Sequence, residues 1–265
     1  MPGHDRIAAA YRRFAREEAH GRSPLYETLA GAVAGEQAVL ARLAALPPPK
    51  RQPNLLLAAV RHVAGIVRDW PDFRSVLLDR WDEVRAVMLA RSTQTNEPGR
   101  CATLLPVLAR LPQPLALIEV GASAGLCLLP DRYGYAYGAH RVPPPARDAP
   151  IFPCRTGPGT PLPDAVPRIA WRAGLDLNPL DVRDAGHMAW LETLVWPEET
   201  ARAARLKAAI RVAQADPPRV ERGDLRTGLS ALVAQAPKDA TLVVFHTAVL
   251  AYLPDAAERQ AFAAS

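Results

Sequence analysis

Glu119-Val120-Gly121-Ala122-Ser123-Ala124-Gly125-Leu126 is the stretch on which the reading of this chain turns. Just before it, Leu115-Ala116-Leu117-Ile118 is a short unbroken apolar run, the pattern of a strand buried on both faces. Small residues at 121, 122, 123 and 125 let the main chain turn tightly and let a ligand approach it closely. A helix is expected straight after the turn, its first N–H groups facing the same ligand. Strand, small-residue turn and helix together form the opening unit of a sheet that holds ligands beyond the carboxyl ends of its strands.

Upstream, the apolar spacing is helical. Ile7, Tyr11 and Phe14 mark one face, and Leu25, Leu29, Val33 and Leu40 a second. Ser23-Pro24 is a start signal, a capping hydroxyl followed by proline at the first helical position. Pro47-Pro48-Pro49 ends that region. Asn54 is expected to cap a third helix and Asn96 a later one. Phe73, Leu77, Trp81, Val84 and Met88 predict a single helix between them. Residues 1–112 therefore read as an all-helical region, and 113–265 as an α/β core.

Downstream, residues 130–168 are proline-rich and carry Tyr133, Tyr135 and Tyr137 at period two. They read as an insertion with a short hairpin. The core resumes with a strand at 169–176, a helical stretch at 185–215 broken near Trp196-Pro197, a short strand at 219–221, a helix at 229–234 and a strand at 241–245. This alternation predicts a parallel sheet. With the first and fourth strands side by side, strand 241–245 is an edge. It is expected to be covered by a second copy in a homodimer, by the proline-rich insertion, or by further polypeptide.

The turn has three readings. An acidic residue followed by small residues at alternate positions, here Glu119, Gly121, Ser123 and Gly125, resembles the opening motif of the Rossmann-type methyltransferases. That resemblance implies an S-adenosyl-L-methionine (SAM) site in which Gly121, Ala122, Ser123 and Gly125 pack against the cofactor and Glu119 orients its amino group. Asp176 then stands where the ribose hydroxyls are held, and Asp224 where the adenine amino group is met. Asp131 is a weaker substitute for Asp176. Gly121-Ala122-Ser123-Ala124-Gly125 also spells G-x-S-x-G and resembles the nucleophile elbow of serine hydrolases, with Asp176 or Asp224 and His246 as partners of Ser123. The third reading is a turn that only packs helix on sheet, or a non-catalytic binding module.

His246, at the end of the last visible strand, is placed to accept a proton near neutral pH. The polar stretch Arg91 to Glu97 leads into the first strand, so Thr93, Gln94, Asn96 and Glu97 read as a lid touching substrate. Solvated connector and helix cap are the competing reading for them. For Asp176 and Asp224 it is an ordinary turn residue.

Taken together, Arg91-Ser-Thr-Gln-Thr-Asn-Glu97, the turn at 119–126, Asp131-Arg-Tyr133, Asp176-Leu-Asn-Pro-Leu-Asp181 and Leu194-Val-Trp-Pro-Glu198 resemble a bacterial, actinobacterial-type family defined only as a domain of unknown function. Its members continue past the point where this chain stops, which implies a sheet incomplete at its C-terminal side. The expected fold is thus an α/β, Rossmann-type, methyltransferase-like parallel sheet behind a helical region.

Composition narrows the partners. A net charge of +5 spread along 265 residues, with 6% aromatics and no basic run, gives no nucleic-acid footprint. No apolar stretch reaches the roughly 18–20 residues of a membrane span. Three cysteines without metal-ligand spacing, and no signal peptide, read as reduced thiols of a cytoplasmic protein without a metal. The expected partner is a small-molecule substrate of a transferase.

Overall fold

Helix starts in the first part of the chain follow local chemistry. The computed structural model describes residues 2–94, 96–252 and 255–264. They divide into two units, Met1–Gln94 with Ala189–Arg202, and Thr95–Met188 with Ala203–Ser265.

The first unit contains α1 (Pro2–Phe14), α2 (Pro24–Val33), α3 (Gln37–Ala44), α4 (Pro53–Ala64), α5 (Trp70–Asp79) and α6 (Trp81–Ala90). Ser23 caps α2 as expected, its Oγ accepting from Tyr26 N at 3.1 Å. The same hydroxyl donates to Glu198 Oε2 at 2.7 Å, and Glu198 Oε1 accepts from Leu25 N at 3.1 Å. Glu198 is thus part of a helix cap. Its neighbour Trp196 donates from Nε1 to Asn54 Oδ1 at 3.1 Å and stacks edge-on against Phe14. Asn54 therefore holds an indole and does not cap α4, whose N-cap is Gln52. The single helix expected over 73–88 is two, parted at Arg80, whose φ of −122° and ψ of 29° leave the helical region. Tyr11, Leu29, Leu56, Phe73, Met88 and Trp190 are among the buried side chains of this unit.

The second unit holds a parallel sheet of β1 (Leu115–Val120), β5 (Ile169–Asp176), β6 (Val220–Arg222) and β7 (Thr241–Phe245), in the order β6-β5-β1-β7. The chain is thus a mixed α/β protein. β1 is fully buried, and its pleat sends alternate side chains to opposite faces. Leu115 and Leu117 meet Leu104 and Leu108 of α7 (Cys101–Leu108). Ile118 and Val120 meet Leu229 and Leu232 of α10 (Leu225–Val233) and Phe262 of α11 (Ala256–Ala264). The expected break near Trp196-Pro197 separates α8 (Ala185–Thr193) from α9 (Thr200–Ala215), and the boundary between units falls inside both helices.

The proline-rich insertion builds a separate sheet in the order β3-β2-β4, with β2 (Gly134–Tyr137) and β3 (His140–Val142) forming the hairpin and β4 (Ile151–Pro153) parallel to β2. It does not cover β7. Among the described residues β7 pairs with β1 alone, and Leu242 and Val244 remain exposed. The period of two in Tyr133, Tyr135 and Tyr137 has a buried purpose. Their hydroxyls donate to Leu126 O at 2.9 Å, Pro130 O at 2.6 Å and Ala102 O at 2.7 Å.

These bonds secure the exit from the 119–126 turn, and here the expected helix is absent. Leu126–Leu128 and Pro130–Arg132 are single 3₁₀ turns. Gly125 is left-handed at φ +72°, and Pro130 follows too soon for an α-helix to establish itself. No helix among the described residues is long and apolar enough to cross a membrane.

Candidate functional site

The small residues of the turn alternate because the backbone does. Gly121, Ser123 and Gly125 have φ of +76°, +53° and +72°. Ser123 is the one non-glycine so placed among the described residues, at a cost on the order of 1–3 kcal/mol that its surroundings must offset. They do so through hydrogen bonds. Gly121 N and Ala122 N donate to Leu175 O at 2.8 and 3.3 Å. Ser123 N donates to Asp176 Oδ2 at 2.8 Å, and Leu126 N to Asn96 Oδ1 at 2.9 Å. Ser123 O accepts from Leu180 N at 3.1 Å. Protein atoms also fill the space beside two glycines. A Cβ on Gly121 would lie 2.6 Å from Val249 Cβ, and one on Gly125 2.7 Å from Pro218 Cγ.

Glu119 shares the face of β1 that carries Leu115 and Leu117. It has no exposed surface, and among the described residues neither of its carboxyl oxygens has a hydrogen-bond partner. Burial pushes its carboxyl well above the ordinary value near 4.5, Cys127 and Asp176 push the same way, and the Arg100 guanidinium opposes them. Ser123 Oγ is also buried and, among the described residues, unpartnered. Around them, Cys127 Sγ donates to Glu97 O at 3.3 Å, and a hydrogen bond with Cys101 and burial hold its thiol well above the usual range. Arg100 Nη1 donates to Thr247 Oγ1 at 2.8 Å. Unpartnered polar atoms in a dry interior are uncommon and costly.

The structure brings together Glu119, the 121–125 turn, Asn96 and Asp176. Asp176 has both oxygens engaged, Oδ1 accepting from Asn178 N at 2.8 Å. A carboxylate has about four acceptor positions, so two remain open. Asp176→Ala is expected to lower stability by about 1–3 kcal/mol, because it strips an acceptor from two main-chain N–H groups of the turn region. Urea denaturation of the two proteins checks this, and equal midpoints would refute it.

The other expected site residues have neighbours of their own. Asp224 caps α10 through Arg226 N at 2.9 Å and forks with the Arg226 guanidinium, whose hydrogen bonds hold its carboxyl down at about 2. This is the turn and cap reading. His246 is exposed, its ring edge-on to Phe262 at 6.3 Å between centroids. Among the described residues Ser123 Oγ has no partner, and no serine–histidine hydrogen bond is formed. The polar stretch is split between the units. Thr93 donates to Gln52 Oε1 at 2.9 Å and Gln94 N to Ser92 O at 2.9 Å in the helical unit, while Asn96 and Glu97 belong with the sheet. Thr95 lies outside the described residues. Asn96 pins the turn and caps no helix; Glu97 caps the short 3₁₀ turn Pro98–Arg100 through Gly99 N at 3.0 Å.

Sequence reasoning passed over Arg100, Cys127 and Cys101. For Arg100 a signal existed. It is a cation at the start of an apolar helix with no acidic residue in its first turn, against the preference of the helix dipole. Among the described residues no group of three or more His, Cys, Asp or Glu is arranged for a metal.

No curated protein and no solved structure matches this chain. A family model described as "Uncharacterized protein conserved in bacteria (DUF2332)" matches residues 8–265, which takes in both units. The chain belongs to that bacterial family.

Proposed function

We propose that the sheet unit has a Rossmann-type, methyltransferase-like core that binds SAM at the carboxyl end of β1, and that the protein is a SAM-dependent methyltransferase acting on a small molecule. The observation that carries this reading is the buried, unpartnered carboxyl of Glu119 directly before a turn with three left-handed residues. A carboxyl kept dry and unbonded is disfavoured unless a cationic group meets it, and the ligand amino group is such a partner.

Three features support it. The order β6-β5-β1-β7 sends the chain outward from β1 in one direction and returns it on the other side, and such a reversal is where open α/β sheets take ligands. The N–H groups of residues 121, 122, 123 and 126 are committed to Leu175, Asp176 and Asn96. A pyrophosphate would find its usual donors taken, whereas SAM carries no phosphate. Asp176 keeps acceptor capacity for ribose hydroxyls at the end of the adjoining strand.

When bound, SAM supplies a methyl group on a sulfonium centre. The chain's share of the chemistry is then to orient the ligand through Glu119 and Asp176, to exclude water, and to accept a proton from the substrate at His246, exposed beyond β7. Because Val249 sits against Gly121, the 247–252 segment must shift for the ligand to lie on the turn. Titration calorimetry with SAM and with S-adenosylhomocysteine is the test. Binding is expected at roughly 1 µM–1 mM, the usual span for enzyme substrates. No heat at millimolar ligand would overturn the proposal, and binding without methyl transfer would reduce it to a binding module.

A further inference from the structure

Arg100 and Glu119 are electrostatic neighbours that do not pair. The Arg100 charge favours ionisation of Glu119, yet no hydrogen bond joins them and both Glu119 oxygens lack partners among the described residues. The side chain of Arg100 is half-buried and makes, among the described residues, one hydrogen bond, to Thr247, and no ion pair. Its position at the start of α7, with no acid in the first turn, adds positive potential on the same side. Thr247 lies two residues beyond Phe245, the β7 partner of Glu119, so the bond to Thr247 holds Arg100 at the same end of the sheet as the Glu119 carboxyl, and an unbridged cation and acid there leave complementary places for an anion and a cation.

Resting on the SAM reading and deepening it, we propose that Arg100 is the carboxylate-recognising residue of this site. The ligand taken at the turn therefore ends in an α-amino acid group, its ammonium at Glu119 and its carboxylate at Arg100. A guanidinium matches a carboxylate with two parallel N–H donors, which a single ammonium side chain cannot reproduce. Arg100 also holds Thr247, two residues from the Val249 that covers Gly121. Carboxylate binding competes for the guanidinium that tethers this segment, so the arriving ligand loosens its own cover.

The experiment compares S-adenosylhomocysteine with its decarboxylated analogue, which keeps the ammonium, by calorimetry on the full chain. Wild-type protein is expected to bind the carboxylated ligand about 10- to 100-fold more tightly, the range of a charge-assisted pair. Arg100→Met should erase that ratio by weakening only the carboxylated ligand, and Arg100→Lys should leave an intermediate ratio. Thermal melts establish that each variant is folded, and the wild-type ratio stands as a test if one is not. Equal wild-type affinity for both ligands, or equal weakening of both by Arg100→Met, would overturn the role of Arg100 and leave SAM binding intact. Failure of wild type to bind either ligand would overturn SAM binding itself, and this inference with it.

Discussion

Glu119→Gln is expected to make the protein more stable than wild type, by a margin that grows with pH. The folded chain holds the Glu119 carboxyl well above its ordinary pKa, chiefly because burial penalises the charged form. Below about pH 4.5, the ordinary carboxylate value, folded and unfolded chains both carry the proton and this group adds no pH dependence. Above that, the unfolded chain releases it while the folded chain keeps it. Stability is then lost with rising pH, at up to about 1.4 kcal/mol per unit, until the folded group ionises as well. Glutamine cannot ionise and keeps a similar volume, so the variant lacks this loss. Near pH 5 the two proteins should differ little. At pH 8 the variant should lead by about 1.4 kcal/mol for each pH unit above the ordinary carboxylate range over which the folded Glu119 keeps its proton. Urea midpoints from pH 5 to 8 measure the gap, since other titrating groups cancel in the difference. Parallel profiles would mean that Glu119 has a partner after all. Under the SAM reading the gain is matched by lost ligand affinity, the usual exchange at a strained site.

Much of this arrangement was legible in the residues. The unbroken apolar run before Glu119 located β1, because a strand buried between layers needs continuous apolar character, and the β-branched run at 241–245 located β7 through strand propensity, although Leu242 and Val244 are exposed on that edge strand. Ser23-Pro24 marked the start of α2 through its own chemistry. What the sequence hid were bonds that cross long distances along the chain. Asn54 and Asn96 both looked like helix caps, since asparagine is a good one. Each is used instead by a distant partner, Trp196 Nε1 and Leu126 N. The helix expected after Gly125 is cut short by Pro130, and bonds that local spacing does not show, from Tyr133 and Tyr135, tie down Leu126 O and Pro130 O in its place. At the site, the type and spacing of Glu119, Gly121, Ser123 and Gly125 were readable, and so was their meeting with Asp176. The neighbourhood of Arg100 was not, because only the folded chain places α7 over the Glu119 face of β1.

Gly121→Ala is expected to destabilise the protein by about 2–5 kcal/mol, and the components of that loss can be separated. One part is conformational: φ of +76° brings a Cβ toward its own carbonyl, at a cost of about 1–2 kcal/mol. The other is steric, because the new methyl would lie 2.6 Å from Val249 Cβ and 2.8 Å from Val249 Cγ2. Overpacking of this kind costs about 1–3 kcal/mol. Val249→Ala removes the Cγ2 and Cγ1 contacts but keeps the Cβ that lies 2.6 Å away, so the 247–252 segment must still move by about 1 Å to bring the methyl pair to its usual separation. In the Val249→Ala background the loss from Gly121→Ala should shrink by part of the steric component, about 1 kcal/mol, leaving the conformational part and the remaining Cβ contact. Denaturant midpoints of the four proteins in this cycle give the coupling, and additive losses would show that Val249 does not rest on the turn. The cycle also bears on function. If Val249 is the cover of the ligand site, Val249→Ala alone should bind S-adenosylhomocysteine more tightly than wild type, since less protein contact must be given up. Gly121→Ala should bind it more weakly in either background, because its methyl stays where the ligand must approach the main chain.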